Sequence, residues 1–124
     1  MEFTDNKAIY LQIAEMICER ILEGHFKEDE RIPSVREMAV QLEVNPNTVM
    51  RTFEFLQSKE IITNKRGIGY FVAENGYKMA MSFRKDEFIE KELPQLFKTA
   101  ALLKMDFEEL LRLYSASEKK TSNK

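Results

Sequence analysis

Two helix starts stand so close together in this chain that little but a tight turn fits between the helices they open. The first is Ser34-Val35-Arg36-Glu37, an S-x-x-E capping box. There a serine hydroxyl and a glutamate carboxylate each satisfy a backbone N–H that the first helical turn leaves without a partner. Behind it Val35, Met38, Ala39 and Leu42 form the apolar stripe of a short helix. The second start is Asn45-Pro46. Asparagine caps well, and proline fits the first helical position because its missing N–H would have had no partner there. A helix is therefore expected from about Pro46 to about Ser58.

The flanking segments extend this unit. From Lys7 to Glu23, Ile9, Ile13, Ile17 and Ile21 recur every four residues, the pattern of an amphipathic helix, and Gly24 is a natural stop. His25–Pro33 reads as a turn region. Ile61–Asn64 and Tyr70–Ala73 are short strand-like runs around Lys65-Arg66-Gly67-Ile68-Gly69, the pattern of a β-hairpin. Helix, helix, turn, helix, hairpin is the order of a winged helix-turn-helix. The fold class expected is mainly α with a small β-hairpin wing, followed by a short two-helix tail.

Composition narrows the function. The single Cys and single His leave no disulfide framework, structural zinc site or Cys–His dyad with a spare ligand. No paired carboxylates or activated nucleophile stand out, so the chain reads as no enzyme, with no cofactor and no metal. No apolar run approaches the ~18 residues of a membrane span, and Met1–Asp5 lacks the basic, then apolar, start of a signal peptide. A cytoplasmic protein without a membrane partner is expected. Cys18 falls in the apolar arc of the first helix, and His25 reads as a surface or half-buried packing residue. Net charge is −2 and pI about 5.6, which argues against a generic polycation. Residues 31–70 nonetheless hold 6 Lys/Arg (Arg31, Arg36, Arg51, Lys59, Lys65, Arg66) against 4 Glu (37, 43, 54, 60), a basic island in an acidic chain.

At 100° per residue, Val49, Thr52, Phe53 and Leu56 of the third helix fall on one arc and face a core. Asn47, Thr48 and Arg51 fall opposite, early in the helix, and Phe55 lies near them. Amide and guanidinium forks can bond base edges in a major groove, and short hydroxyls can bond phosphates. Acids are absent from this helix before Glu54. Arg36 sits in the first turn of the second helix, which in a helix-turn-helix crosses the DNA backbone. Lys65-Arg66-Gly67 puts two cations and a glycine at the hairpin tip. The candidate DNA-binding set is Ser34, Arg36, Asn45, Asn47, Thr48, Arg51, Lys65, Arg66 and Gly67.

Over residues 9–76 the chain resembles the DNA-binding domain of the GntR family of bacterial transcription regulators. The matching stretches are Ile9-Tyr10-Leu11-Gln12-Ile13, Arg31-Ile32-Pro33-Ser34-Val35-Arg36-Glu37-Met38-Ala39, Leu42-Glu43-Val44-Asn45-Pro46-Asn47-Thr48-Val49, Arg51, and the wing Lys65-Arg66-Gly67-Ile68-Gly69-Tyr70-Phe71-Val72. The resemblance implies that Arg36, the start of the third helix and Gly67 meet double-stranded DNA. It departs at Glu28-Asp29-Glu30 and Lys59-Glu60, where the family often has a glycine near the turn. The short remainder is similar to the YtrA-like branch, which implies a dimer and a link to transporter operons. The function expected is a sequence-specific transcriptional regulator, a repressor binding a palindromic operator as a homodimer. The alternative is a winged-helix protein-interaction module that does not bind DNA.

The expected domains are a winged helix-turn-helix at 1–76, a helical dimerisation tail at 77–117 and a disordered end at 118–124. Ile89, Leu93, Leu96, Ala100 and Leu103 form a heptad-like seam. Asp106-Phe107-Glu108-Glu109 is a second capping box, starting a stripe of Phe107, Leu110, Leu111 and Tyr114. With Phe83 and Phe97 these make the candidate dimerisation set. Pro94 should break or kink the tail, and two helices are expected to enclose too little volume for a metabolite sensor.

Overall fold

The computed structural model describes Phe3 and residues 7–122, which fall into two compact units that part between Asp86 and Glu87. The element order is α1 (Ile9–Leu22), α2 (Val35–Leu42), α3 (Pro46–Ser58), β1 (Ile62–Lys65), β2 (Gly69–Val72), α4 (Gly76–Glu87), a π turn (Phe88–Glu92), α5 (Leu93–Leu102) and α6 (Phe107–Ser122). This is the winged helix-turn-helix order, with the hairpin one residue out of the expected frame.

The first unit is built around one face of each helix. Ile13, Ala14, Ile17, Cys18 and Ile21 of α1 pack with Met38 and Ala39 of α2 and with Val49, Phe53 and Leu56 of α3. Ile61, Ile62 and Val72 close the core from the hairpin side. Cys18 is a buried core thiol, as its position in the pattern implies, and His25 takes the exposed one of its two expected placements. The hairpin pairs antiparallel, Ile62 with Val72 and Lys65 with Gly69. The supposed turn region adds a third run to it. Val72 donates its N–H to Glu30 O at 3.0 Å, Asp29 donates to Val72 O at 2.9 Å, and Ile32 donates to Tyr70 O at 2.9 Å.

Four helices end alike, in the Schellman pattern of one short and one long backbone bond around a left-handed residue. After α1, Gly24 donates to Ile21 O and His25 to Arg20 O. The left-handed residue there is a glycine, at φ +85°. The same pair of bonds forms at Glu43 and Val44 after α2, at Glu60 and Ile61 after α3, and at Lys104 and Met105 after α5. Glu43 (φ 56°), Glu60 (φ 61°) and Lys104 (φ 58°) occupy the left-handed position although each carries a Cβ. Asp29, in the other turn that departs from the family pattern, is left-handed as well (φ 62°). The two departures from the family pattern thus each hold a residue with a Cβ in the left-handed conformation and take on its steric cost.

The unit boundary expected after residue 76 lies ten positions early. Helix α4 belongs to the first unit: Ala80 is fully buried in its core, and Met79 and Phe83 pack against that core. Arg84 of α4 also bonds α1, with Nη1 3.6 Å from Glu15 Oε2 and Nη2 3.3 Å from Glu19 Oε1. In the second unit Pro94 neither breaks nor sharply ends the helical ladder. The π turn precedes it, with Leu93 N–H donating to Phe88 O five residues back. That widened turn lets the backbone pass a residue that lacks an N–H and crowds the preceding turn. Asp106 caps α6, accepting from Glu109 N–H at 2.9 Å. The end expected to be disordered is helical through Ser122, and Asn123 and Lys124 lie outside the described residues.

Candidate nucleic-acid interface

The helix-turn-helix is joined by Glu43-Val44-Asn45, and its local bonds follow from those three side chains. Glu43 turns the chain in the left-handed conformation, and half-buried Val44 packs against the core. Asn45 then caps α3, its Oδ1 accepting from Asn47 N–H at 2.8 Å. The Asn45 amide keeps its NH2 donors for an outside acceptor. Asn47 is exposed, and Thr48 half-buried, at the leading end of α3, where free backbone N–H groups and the helix dipole favour an anion. Thr52 on the opposite side is buried and donates its hydroxyl to Tyr10 O at 2.8 Å, tying α3 to α1.

The α2 capping box forms in both directions. Glu37 N–H donates to Ser34 Oγ and Ser34 N–H to Glu37 Oε1, each at 3.1 Å. The backbone and hydroxyl bonds from Ser34, with nearby Arg31 adding to them, hold the Glu37 carboxyl below the usual carboxylate range. The carboxylate is therefore committed to the cap. Arg36 is exposed in the same first turn.

Arg51 is exposed on α3, but its guanidinium does not float free. It lies 4.0 Å from the centroid of the Tyr10 ring. Phe55, whose cover the helical pattern alone left undefined, is half-buried between two other rings. Tyr10 meets it edge-on at 6.1 Å and Phe83 at 5.4 Å. Phe83, expected at a dimer contact, is therefore a packing residue of the first unit.

On the wing, Lys65 is the last residue of β1 rather than part of the tip, and its Nζ sits 4.2 Å over the Phe71 ring. The tip is Arg66-Gly67-Ile68, with all three exposed and Gly67 at φ +79° in open space. Arg31 crosses the base of the wing. Its Nε lies 2.8 Å from where a Cβ on Gly69 would stand, so the glycine makes room for it. In the sequence Arg31 stands out only as a charge and within a stretch that matches the family, and Tyr10 only within such a stretch. The spacing of the two glycines around Ile68 was the available signal for the first, and an aromatic at the start of α1 for the second.

In the second unit, apolar side chains face solvent. Phe97 is 57% exposed, Leu103 62%, Phe107 75% and Tyr114 62%, and Ile89, Leu96 and Leu111 are also exposed. Of the other expected dimer residues, Leu93 and Leu110 are half-buried and Ala100 is buried inside the unit. A groove of about 520 Å³ runs between α5 and α6, lined by Leu96, Ala100, Leu103, Met105 and Leu110 among others. The groove is open to solvent rather than enclosed. Among the described residues no cluster of His, Cys, Asp or Glu could hold a metal, and no helix is long and apolar enough to cross a membrane.

Comparison with known proteins agrees with this geometry. Residues 9–72 match the family model described as bacterial regulatory proteins, gntR family. The chain is 36% identical to the HTH-type transcriptional regulator YhcF of Bacillus subtilis, over 89% of each chain. It is 35% identical to the HTH-type transcriptional repressor YtrA of the same organism, over 82% of this chain and 78% of that one. A crystal structure of a transcriptional regulator of the GntR family from Bacteroides thetaiotaomicron superimposes with a TM-score of 0.74 at 46% identity. That match covers 92% of this chain and 99% of the other.

Proposed function

Because this chain belongs to the GntR family of bacterial regulatory proteins, and within it to the YtrA-like branch, we propose that it is a repressor that binds a palindromic operator as a homodimer. It is a DNA-binding transcriptional regulator and not an enzyme, which displaces the alternative of an interaction module without DNA binding. The observation that carries the reading is the exposed amide and guanidinium set at the leading end of α3, in the same unit as a wing with cations at its tip and base. Asn47, Thr48 and Arg51 read base edges, Ser34, Arg36 and Asn45 hold phosphates, and Lys65, Arg66 and Gly67 meet the backbone or minor groove. Arg31, beside the wing, adds a further phosphate contact. The repressor role is supported by the similarity to a relative named as a repressor. The YtrA-like resemblance further implies a transporter operon as the target.

The dimer reading rests on the second unit's exposed apolar surface, which a tail this small leaves uncovered. A two-fold pair places two recognition helices about one DNA turn apart, or a multiple of it, to match two half-sites. Electrophoretic shift with the DNA preceding the protein's own coding sequence tests the operator reading, and binding should fall steeply with salt. No preference for that DNA over a scrambled duplex would refute it. Sedimentation of the full chain tests the dimer. Leu103→Glu with Leu111→Glu, both exposed in a single copy, should convert a dimer to a monomer.

A further inference from the structure

We propose that Tyr10 is a positioning residue for Arg51, so that helix α1, which carries none of the residues assigned to DNA, helps set the sequence preference of α3. The proposal rests on the reading of Arg51 as a base-reading side chain. Tyr10 holds α3 at two adjacent residues. Its ring lies 4.0 Å under the Arg51 guanidinium, and its carbonyl oxygen accepts the Thr52 hydroxyl at 2.8 Å. The ring is itself fixed edge-on against Phe55, which is backed by Phe83.

The geometry suits base recognition because the two interactions use different parts of one group. Stacking occupies the flat face of a guanidinium, whereas bidentate bonding to a guanine edge uses the N–H groups in its plane. A stacked Arg51 therefore keeps its fork free and loses most of the rotamers that point it elsewhere. An unstacked arginine would have to be ordered when DNA arrives, at a cost in binding. Lys65, over Phe71, shows a similar pairing on the wing, but a lysine has no planar fork to orient.

The test compares full-length variants on two duplexes, one enriched by the parent protein from a randomised library and one scrambled to the same composition. The quantity read is the ratio of their affinities. Tyr10→Phe, which keeps the ring, should retain the parental ratio. Tyr10→Leu and Tyr10→Met should lower it by about three- to tenfold while leaving the salt slope unchanged, since no phosphate contact is lost. Arg51→Ala should also lower the ratio, and adding Tyr10→Leu to it should bring no further loss. In the free protein, the Arg51 Hε resonance should be displaced upfield by the ring in the parent and in Tyr10→Phe but not in Tyr10→Met. A parental ratio in Tyr10→Leu and Tyr10→Met alongside a lowered one in Arg51→Ala overturns the positioning role alone. A full additional loss in the double variant does the same, because Tyr10 would then act independently of Arg51. A parental ratio in Arg51→Ala overturns the base-reading role and the positioning role together.

Discussion

Replacing Glu60 with glycine should make the protein more stable, although it deletes a side chain and adds none. Glu60 sits at φ 61° as the left-handed residue of the Schellman turn after α3. Its N–H donates to Gln57 O at 2.9 Å, and Ile61 N–H donates to Leu56 O at 3.0 Å. Both bonds are backbone bonds that a glycine keeps, and the accompanying apolar contact is between Leu56 and Ile61, both fully buried. A Cβ in the left-handed conformation costs about 1–2 kcal/mol, and glycine removes that cost. Glycine also gives the unfolded chain more freedom, which takes back about 0.4–1 kcal/mol. The net gain is about 0.5–1 kcal/mol, or about 2–8 °C for a domain of this size. Urea unfolding at one fixed protein concentration, with unchanged denaturant slope, is the assay. The order Gly, then Asn, then Glu level with Ala is expected, because asparagine tolerates this conformation and alanine does not. Glu60→Gly at or below parental stability, with Glu60→Ala equal to it, would show that the turn is not strained and refute the reasoning.

The other predictions concern single groups. Gly76→Ala should destabilise by about 1–3 kcal/mol in thermal unfolding, since its Cβ would stand 2.6 Å from Val72 Cγ1 and 2.7 Å from Ile61 O. Glu37→Gln keeps a capping side chain but loses the charge. Glu37 has a lowered folded pKa, so its charge stabilises above the ordinary carboxylate range and that contribution is lost as pH falls through the folded value. The parent and Glu37→Gln should therefore differ at neutral pH and converge in acid, as unfolding curves across pH will show. Arg51→Ala should cost about 1–3 kcal/mol of discrimination between selected and scrambled DNA. Lys65→Ala should weaken both duplexes alike and lower the salt slope by about one, and a loss confined to one duplex would argue against a phosphate contact.

Local chemistry was enough to read the elements of this protein in its sequence. The capping box at Ser34 and the Asn45-Pro46 start depend on bonds that span only two or three residues, so they form as written. The apolar arc of α3 was legible for the same reason, since helical period alone assigns Val49, Thr52, Phe53 and Leu56 to the buried side. Left-handed Asp29 and Glu60 were not, because a turn rule names glycine, whereas the folded chain holds a residue in a costly conformation when the bonds around it form. Phe83 was assigned to the tail because periodicity continues through α4 without marking where the core ends. Only packing on Phe55 brings it into the first unit. Pairings distant along the chain were equally beyond a one-dimensional pattern. Tyr10 reaches Arg51 and Arg31 reaches Gly69 because α1 crosses α3 and residues 29–32 run beside β2. Period and capping determine which face a side chain takes, and only the closing of the core decides which other face it meets.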